Sequence, residues 1–435
     1  MTIRAVETIP IRQELDAPFG NGQGWTTARQ YLIVRLVADD GTIGYGECWG
    51  PIAGNQQVVE QLIAPLVIGQ DPMATGRLWD EIAFRLRWAY HSFAPYSALS
   101  GVDLALWDLK GKLLGRPVAE LLGGAVHTRV PAYATGHYFR QVDRLDRQID
   151  VVLEEARGNL AGNFRRLKLK IGLALLGWGA DADVTLMTAL RDEVGDGVPI
   201  MVDANCAYRM PDAVRVGRAA EALGVAWFEE PLPLTDIAGY GELSRRLDVP
   251  IAGGESWALL SEFAEIFHRR AVSVAQPDVC SAGGITEVKR IADLARALNI
   301  ACYPHVWGTP IAMAASLHVL ATLPGQVLLE FDQSPNPIRE GLLTRQSRWA
   351  PTGPSRCRPV LALASRSTRT SWSGSAQLGE VRRGLRWSRQ RYGSMTSCVP
   401  ASWTAPSKRA AGSARIASLG SWAAAGPRCA RRCGD

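Results

Sequence analysis

Apolar and polar positions change period twice along this chain, and the changes mark its organisation. The opening runs "TIRAVETIPI" and "QYLIVRLVADDGTIGYGECWG" are strand-like, with "DDG" as the hairpin turn between alternating segments. From about Pro72 to Gly124 the apolar residues recur at helical spacing, in "TGRLWDEIAFRLRW" and then "SALSGVDLALWDLKGKLLG", which stops at a glycine. Together these predict a small α+β domain over residues 1–125. Eight short apolar runs separated by helical segments then follow: 130–135, 166–171, 199–205, 225–231, 249–255, 272–278, 300–306 and 326–332. Most are spaced by 20 to 35 residues, which predicts an α/β fold, a parallel β/α barrel of the TIM type, over residues 126–343. An open doubly wound sheet is the alternative, disfavoured because no glycine-rich nucleotide turn follows the first strand. Over residues 344–435 no period is held, and that segment is expected to be disordered.

Composition adds little for the first part of the chain and more for the last. With 47% hydrophobic and 21% charged residues, the 435-residue chain is an ordinary globular sequence able to bury a large core. No apolar run approaches the roughly 20 residues of a membrane span, and the start lacks a signal-type apolar core, so the expectation is a cytoplasmic protein with no membrane partner. Eight cysteines without a CxxC pair suggest reduced thiols. Beyond residue 343 lie 17 of the 48 Lys+Arg but only two of the 42 Asp+Glu, so an acidic protein is followed by a basic tail. Its mixture of Arg, Ser, Ala, Cys and Trp reads as a GC-rich gene translated out of frame. A basic, aromatic-studded segment that binds nucleic acid is the competing reading.

In nearly every barrel run the polar residue stands at the C-terminal end, on the face where barrel enzymes carry their sites. Lys168 and Lys170 share one face of their strand, while Leu167, Leu169 and Ile171 share the other. Asp203, Glu229 and Glu255 follow at intervals of 26 residues, one βα unit each. Three carboxylates brought to one point repel unless a cation sits among them, and an oxygen-only set suits Mg2+ better than zinc. Asp278 and His305 are 27 residues apart, so the carboxylate can hold one imidazole nitrogen and leave the other as a base. A lysine beside a second ammonium and a divalent cation loses its proton more easily and becomes a base as well. His137, in "YATGHY", is either a pocket contact or an ordinary loop histidine.

The set "ALSGVDLALWDLKGK", "LKLKIG", "MVDAN", "WFEEP", "GGES", "QPD", "YPHVWGT" and "LLEFD" resembles the enolase superfamily. Within it the chain is similar to the mandelate racemase/muconate lactonizing enzyme family, in a branch that holds galactarolactone cycloisomerase and acid-sugar dehydratases. The resemblance runs from residue 1 to about 343 and implies a (β/α)7β barrel under an N-terminal capping domain. It implies Mg2+ held by Asp203, Glu229 and Glu255, and removal of a proton α to a carboxylate of a sugar acid or lactone through an enediolate, with a cycloisomerase, dehydratase or racemase outcome. Lys170 matches one base and His305 the other, with Asp278 orienting it. Lys168 matches a group lying against the substrate carboxylate and tuning Lys170, and Glu330 an acid that hydrogen-bonds the enediolate oxygen and must be protonated to do so. The capping loops 17–29 and 48–55 supply Trp25, Arg29 and Trp49 as candidate substrate contacts, joined by Asn205 of "MVDAN" and by His137. A homo-oligomer acting on a small molecule, with no nucleic-acid partner, is also implied. The tail departs from the family from "SRCRPVLALASRS" onward, which leaves apolar surface uncovered. An inactive or unstable frameshift product of such an enzyme is therefore the alternative reading, and a nucleic-acid-binding tail the lesser one.

Overall fold

The structure, a computed structural model, describes residues 1–91, 94–342 and the short pair Arg356–Cys357. The expected frameshifted tail, its disorder and its nucleic-acid reading therefore lie outside the described residues, apart from that pair.

Three antiparallel strands open the chain, in the order β1 (Ile3–Asn21), β2 (Gly24–Ala38) and β3 (Ile43–Cys48). The "DDG" turn joins β2 to β3, closed by Ala38 N–H donating to Thr42 O at 2.9 Å. Residues 17–29, expected as a loop, are instead the far end of the β1–β2 hairpin, with Phe19 paired to Thr26, Gly20 to Trp25 and Asn21 to Gly24. One face of the sheet packs on the helix Tyr96–Leu114, and the approach is close because β3 carries glycine there. A Cβ on Gly46 would lie 1.8 Å from Gly101 O, so no larger residue fits without separating the two layers. Asp108 of that helix accepts from Tyr45 N–H at 2.8 Å, which fixes the register of strand against helix. The helix ends at Gly115 in the left-handed region (φ 61°), as the sequence predicts.

Eight parallel strands follow: β4 (Val130–Thr135), β5 (Leu167–Lys170), β6 (Ile200–Asp203), β7 (Phe228–Glu229), β8 (Ile251–Gly253), β9 (Val274–Ala275), β10 (Ala301–Cys302) and β11 (Leu329–Asp332). They lie in chain order, except that β11 pairs beside β4, so the curled sheet brings its last strand back to its first. Across the seam between β10 and β11, Val306 N–H donates to Glu330 Oε2 at 3.3 Å. All eight predicted runs contain one of these strands. In β5, Leu167 and Leu169 join the large core between strands and helices, while Lys168 and Lys170 turn inward. Tyr133, Met201, Trp227, Ala252, Val274, Tyr303 and Leu328 form a separate apolar cluster, one residue from each of seven of the eight strand segments, as expected of an interior layer of a barrel. The pair β12 (Arg356–Cys357) runs antiparallel to β4. Among the described residues no helix is long and apolar enough to cross a membrane.

The two parts are joined by buried polar contacts. Asp103 accepts from Thr286 N–H at 2.9 Å and Thr286 Oγ1 at 2.6 Å, and Trp79 Nε1–H donates to Gly283 O at 2.6 Å. Glu47, at the end of β3, accepts from Thr309 Oγ1 at 2.5 Å and Thr309 N–H at 3.1 Å, at the start of the helix Pro310–Thr322. Burial pushes the Glu47 carboxyl up to about 7, although Thr309 opposes the shift.

On that last helix His318 accepts from Ala119 N–H at 3.3 Å, and burial depresses its pKa from 6.5 to about 4. The unfolded imidazole therefore takes a proton first as the medium is acidified. This contribution to stability is complete above about pH 6.5 and lost as pH falls toward 4, by about 3 kcal/mol. His318→Gln is expected to flatten that part of the pH dependence of urea unfolding; an unchanged slope between pH 6.5 and 4 counts against it.

Candidate active site

Asp203 ends β6, Glu229 ends β7 and Glu255 lies two residues past β8, each at the C-terminal end of its strand. Their carboxylate oxygens all lie within 4.8 Å of one another, and all three residues are buried. Neighbouring strands in register produce this: Asp203 is the cross-strand partner of Lys170 on one side and of Glu229 on the other. Lys170 Nζ contacts Asp203 Oδ2, and Lys168 Nζ reaches Glu229 Oε1 at 2.6 Å and Glu330 Oε1 at 2.6 Å. On the far side of the triad His305 Nδ1 bonds Asp278 Oδ2 at 2.7 Å, and its Nε2 stands 3.3 Å from Glu255 Oε2 without hydrogen-bond alignment.

The charges control one another. Burial pulls Lys170 down, but the Asp203 carboxylate outweighs it and holds the ammonium above its ordinary range. Lys168 behaves likewise, with Glu229 and Glu330 opposing its burial. Burial lifts Asp203, but the two lysines hold it below the usual carboxylate range. For Glu229 burial wins over Lys168, and its carboxyl rises to about 7. Burial would neutralise His305, yet Glu255, Glu330 and Asp278 carry it to about 10, so it is an imidazolium here. An oxygen-only set in which Glu255 Oε2 lacks a hydrogen-bond partner fits a hard divalent cation such as Mg2+.

Several candidates are engaged with the protein itself. Arg29 is fully buried, pairs with Asp332 Oδ2 at 3.0 Å and stacks on Trp307 at 4.3 Å. His137 is likewise built in, with Nδ1 2.8 Å from Lys168 O and Nε2 3.3 Å from Asn159 Nδ2. Lys168 is fully buried between two glutamates, Glu229 and Glu330. At Glu330 burial favours the acid form, while Lys168 and His305 hold its carboxyl below the ordinary range.

Trp49 and Asn205 do reach the site. Trp49 sets its ring edge-on to His305 at a centroid distance of 5.4 Å, with its backbone N–H donating to Cys280 O at 3.0 Å. Asn205 sits in the left-handed region (φ 43°), donates its N–H to Asp203 Oδ1 at 2.9 Å, and has a buried Oδ1 without a hydrogen-bond partner. Trp25 is half-buried near the hairpin tip, packed on the barrel core. The hairpin is tied to the segment that follows β4 by Gly20 N–H to Phe139 O at 3.0 Å and the reverse bond at 2.8 Å. At Gly22 a Cβ would come 2.2 Å from Ala204 O, so only glycine lets the hairpin approach the "DAN" loop this closely.

Family models match the chain over most of these residues. The mandelate racemase/muconate lactonizing enzyme N-terminal domain matches residues 4–123, and the enolase C-terminal domain-like model matches residues 151–350. The D-galactarolactone cycloisomerase of Agrobacterium fabrum is 36% identical over 351 residues, covering 79% of this chain and 90% of its own. The chain belongs to the mandelate racemase/muconate lactonizing enzyme family. The arabinonate dehydratase of Saccharolobus solfataricus is 35% identical over 297 residues, 68% of this chain and 77% of its own. Among solved structures, the 3,6-anhydro-D-galactonate cycloisomerase of Zobellia galactanivorans superposes with a TM-score of 0.76 at 31% identity, covering 89% of this chain and all of that one (100%). A racemase from Streptomyces coelicolor A3(2) with bound magnesium gives 0.73 at 28% identity, covering 82% of this chain and 94% of that one. This member is accordingly an enzyme of the isomerase and lyase type found in the family.

Two groups in this family member escaped the sequence reading. Trp227 Nε1–H donates to Glu229 Oε2 at 3.0 Å and Gln276 Nε2–H to the same oxygen at 2.7 Å. They occupy one oxygen of Glu229 and leave the other toward Lys168 and the triad. Both lay inside motifs already recognised, "AWFEEP" and "QPD", but nothing in the linear pattern says that they meet on one carboxylate oxygen. Replacing Gln276 by Leu is expected to raise about tenfold the Mg2+ concentration that half-saturates the rise in melting temperature. An unshifted midpoint removes Gln276 from this role.

Proposed function

We propose that the protein removes the proton α to a carboxylate in a sugar acid or sugar-acid lactone, with Mg2+ held by Asp203, Glu229 and Glu255. The observation that carries the reading is the placing of two proton-transfer groups, Lys170 and His305, on different sides of one buried carboxylate triad. Bound Mg2+ would act as a Lewis acid on the substrate carboxylate, making the α-proton more acidic.

The remaining steps belong to side chains. Asp203 is what keeps Lys170 charged; with that carboxylate engaged by a cation, burial and Lys168 pull the lysine toward the neutral amine, which can take the α-proton. His305, held by Asp278, carries a proton on the other side. Returning it to the α-carbon inverts the centre, and giving it to a β-hydroxyl or ring oxygen expels water or opens a ring. Trp49 packs on the imidazole and excludes water from that side. Sugar acids and their lactones are the substrate class favoured by the named relatives in Agrobacterium, Saccharolobus and Zobellia.

The test is exchange. With Mg2+ and a panel of hexaric and aldonic acids and lactones in D2O, at least one compound is expected to gain deuterium at the α-carbon or to form product. No exchange with any member, by a folded protein whose melting temperature Mg2+ raises, would overturn the substrate class while leaving the metal assignment standing.

A further inference from the structure

Lys170 lies inside β5, but β10 ends at Cys302, three residues before His305. The place of the imidazole therefore depends on what holds the segment 303–309. Asp278 Oδ2 bonds Nδ1 of the ring, Val306 N–H reaches Glu330 Oε2 at 3.3 Å, and Asn336 Nδ2–H reaches Gly308 O at 3.4 Å. A further tie comes from the capping domain. Glu47 Oε2 accepts from Thr309 Oγ1 at 2.5 Å, from Thr309 N–H at 3.2 Å and from Ala312 N–H at 3.3 Å, while Oε1 accepts from the same Thr309 N–H at 3.1 Å. The Thr309 hydroxyl in turn accepts from Ile311 N–H at 3.1 Å, so one carboxylate closes the first turn of the helix Pro310–Thr322.

Glu47 is not an ordinary cap. It is buried, burial works against its charge, and the charge acting on it most strongly is another carboxylate, Asp278. A neutral side chain would satisfy the same turn without that cost. Gly308 makes room for it, since a Cβ there would stand 2.6 Å from Glu47 Oε1. Two residues further on, Trp49 sets its ring against His305 at 5.4 Å and against Trp307 at 5.5 Å. The end of β3 thus holds the segment at two points, by a carboxylate at Thr309 and by an indole at His305.

We propose that Glu47 is a positioning residue for His305: by binding Thr309 and Ala312 it fixes the segment 303–309 against Trp49, and so keeps the imidazole in place beside the triad. The inference rests on the reading of His305 as a proton-transfer group. Hydrogen bonds to an ionised acceptor are shorter and stronger than neutral ones, and a reacting group displaced by about 1 Å can lose about 10²-fold in rate. Lys170 is held by the ladder of β5 and takes no part in this tie, so the two sides of the site respond differently.

Deuterium exchange with two epimers of one sugar acid, in the full chain with Mg2+, tests it. Glu47→Gln and Thr309→Val are each expected to lower exchange on the His305 side by about tenfold or more and to leave the Lys170 side near the parent. In Glu47→Gln the loss is unavoidable, because Thr309 N–H bonds both oxygens and whichever becomes NH2 meets a donor. Thr309→Ser keeps the hydroxyl and is expected to match the parent, and the double variant Glu47→Gln/Thr309→Val to lose no more than either single change. Thr286→Val, which cuts the buried tie to Asp103, is expected to lower the melting temperature without altering the ratio of the two sides. A readout apart from exchange is the nitrogen NMR signal of the His305 ring, identified by its absence in His305→Asn. It is expected to shift in Glu47→Gln and Thr309→Val and not in Thr309→Ser. Should Glu47→Gln not fold, the two Thr309 variants decide the matter. Equal loss on both sides, an unshifted ring signal in folded variants, or Thr309→Ser behaving like Thr309→Val would each overturn the inference. If the parent exchanges no compound, the proton-transfer reading fails, and the ring signal by itself decides whether Glu47 places His305.

Discussion

Lys170→Ala is expected to lower α-proton exchange by about 10³-fold with substrates whose α-proton faces β5, and to leave exchange with the opposite epimer far less affected. His305→Asn should do the reverse. The reason is positional. Lys170 reaches the triad through Asp203, from β5, while His305 reaches it through Glu255, from the segment after β10. In the proposed reaction the α-proton leaves from one side of the plane that the enediolate would adopt, and only one of the two groups stands on that side. The measurement is deuterium incorporation with each epimer by proton NMR, in variants that keep the Mg2+-dependent rise in melting temperature. If both variants lose exchange equally with both epimers, the two-faced assignment is wrong, and one of the pair supports structure or binding instead.

Arg29→Met is expected to cost about 3 kcal/mol of unfolding free energy, and to leave substrate preference unchanged in the fraction that folds. Arg29 donates to Asp332 Oδ2 at 3.0 Å, to Ser334 Oγ and to Pro335 O at 3.2 Å, and its guanidinium lies over Phe19 at 5.0 Å and Trp307 at 4.3 Å. It thus ties β2 of the capping domain to the segment that leaves β11. Removing the cation leaves the buried Asp332 carboxylate with its Ser334 hydrogen bonds and, as counter-charge among the described residues, Arg339 3.5 Å away, and such weakly balanced buried charge is the costly case. Urea unfolding of parent and variant measures the loss. A variant as stable as the parent but changed in which sugar acid it accepts would restore Arg29 to the pocket.

These two residues differ in how much of their placement the sequence carries. Lys170 was legible because strand alternation puts it on the face opposite Leu169 and because the next three strand ends carry acids at a constant interval. Nothing beyond periodicity and the barrel rule is required to bring those groups together. Arg29 sits at the end of a segment read as a capping loop, and a polar residue near a pocket has two fates, facing a ligand or being consumed by the protein. Its partner Asp332 is 303 positions away, so the choice between those fates is invisible in the chain. For His137 too the contacts come from remote residues, its ring nitrogens meeting Lys168 O and Asn159.

Protonation was the other feature out of reach. Spacing assigns Glu330 to the site, but its charge depends on a buried Lys168 lying 2.6 Å away, and a 2.6 Å contact cannot be read between residues 162 positions apart. By itself, then, the sequence determined the α/β barrel, its capping domain, the family, and the membership of the triad, because strand period and repeat length are local properties that the chain carries everywhere. Only the tertiary structure decided which buried polar groups are already paired, which oxygen of Glu229 stays toward the triad, and how each charge is held. Those depend on distances of a few ångströms between side chains from different strands, in a low-dielectric interior where each contact changes its neighbour's charge.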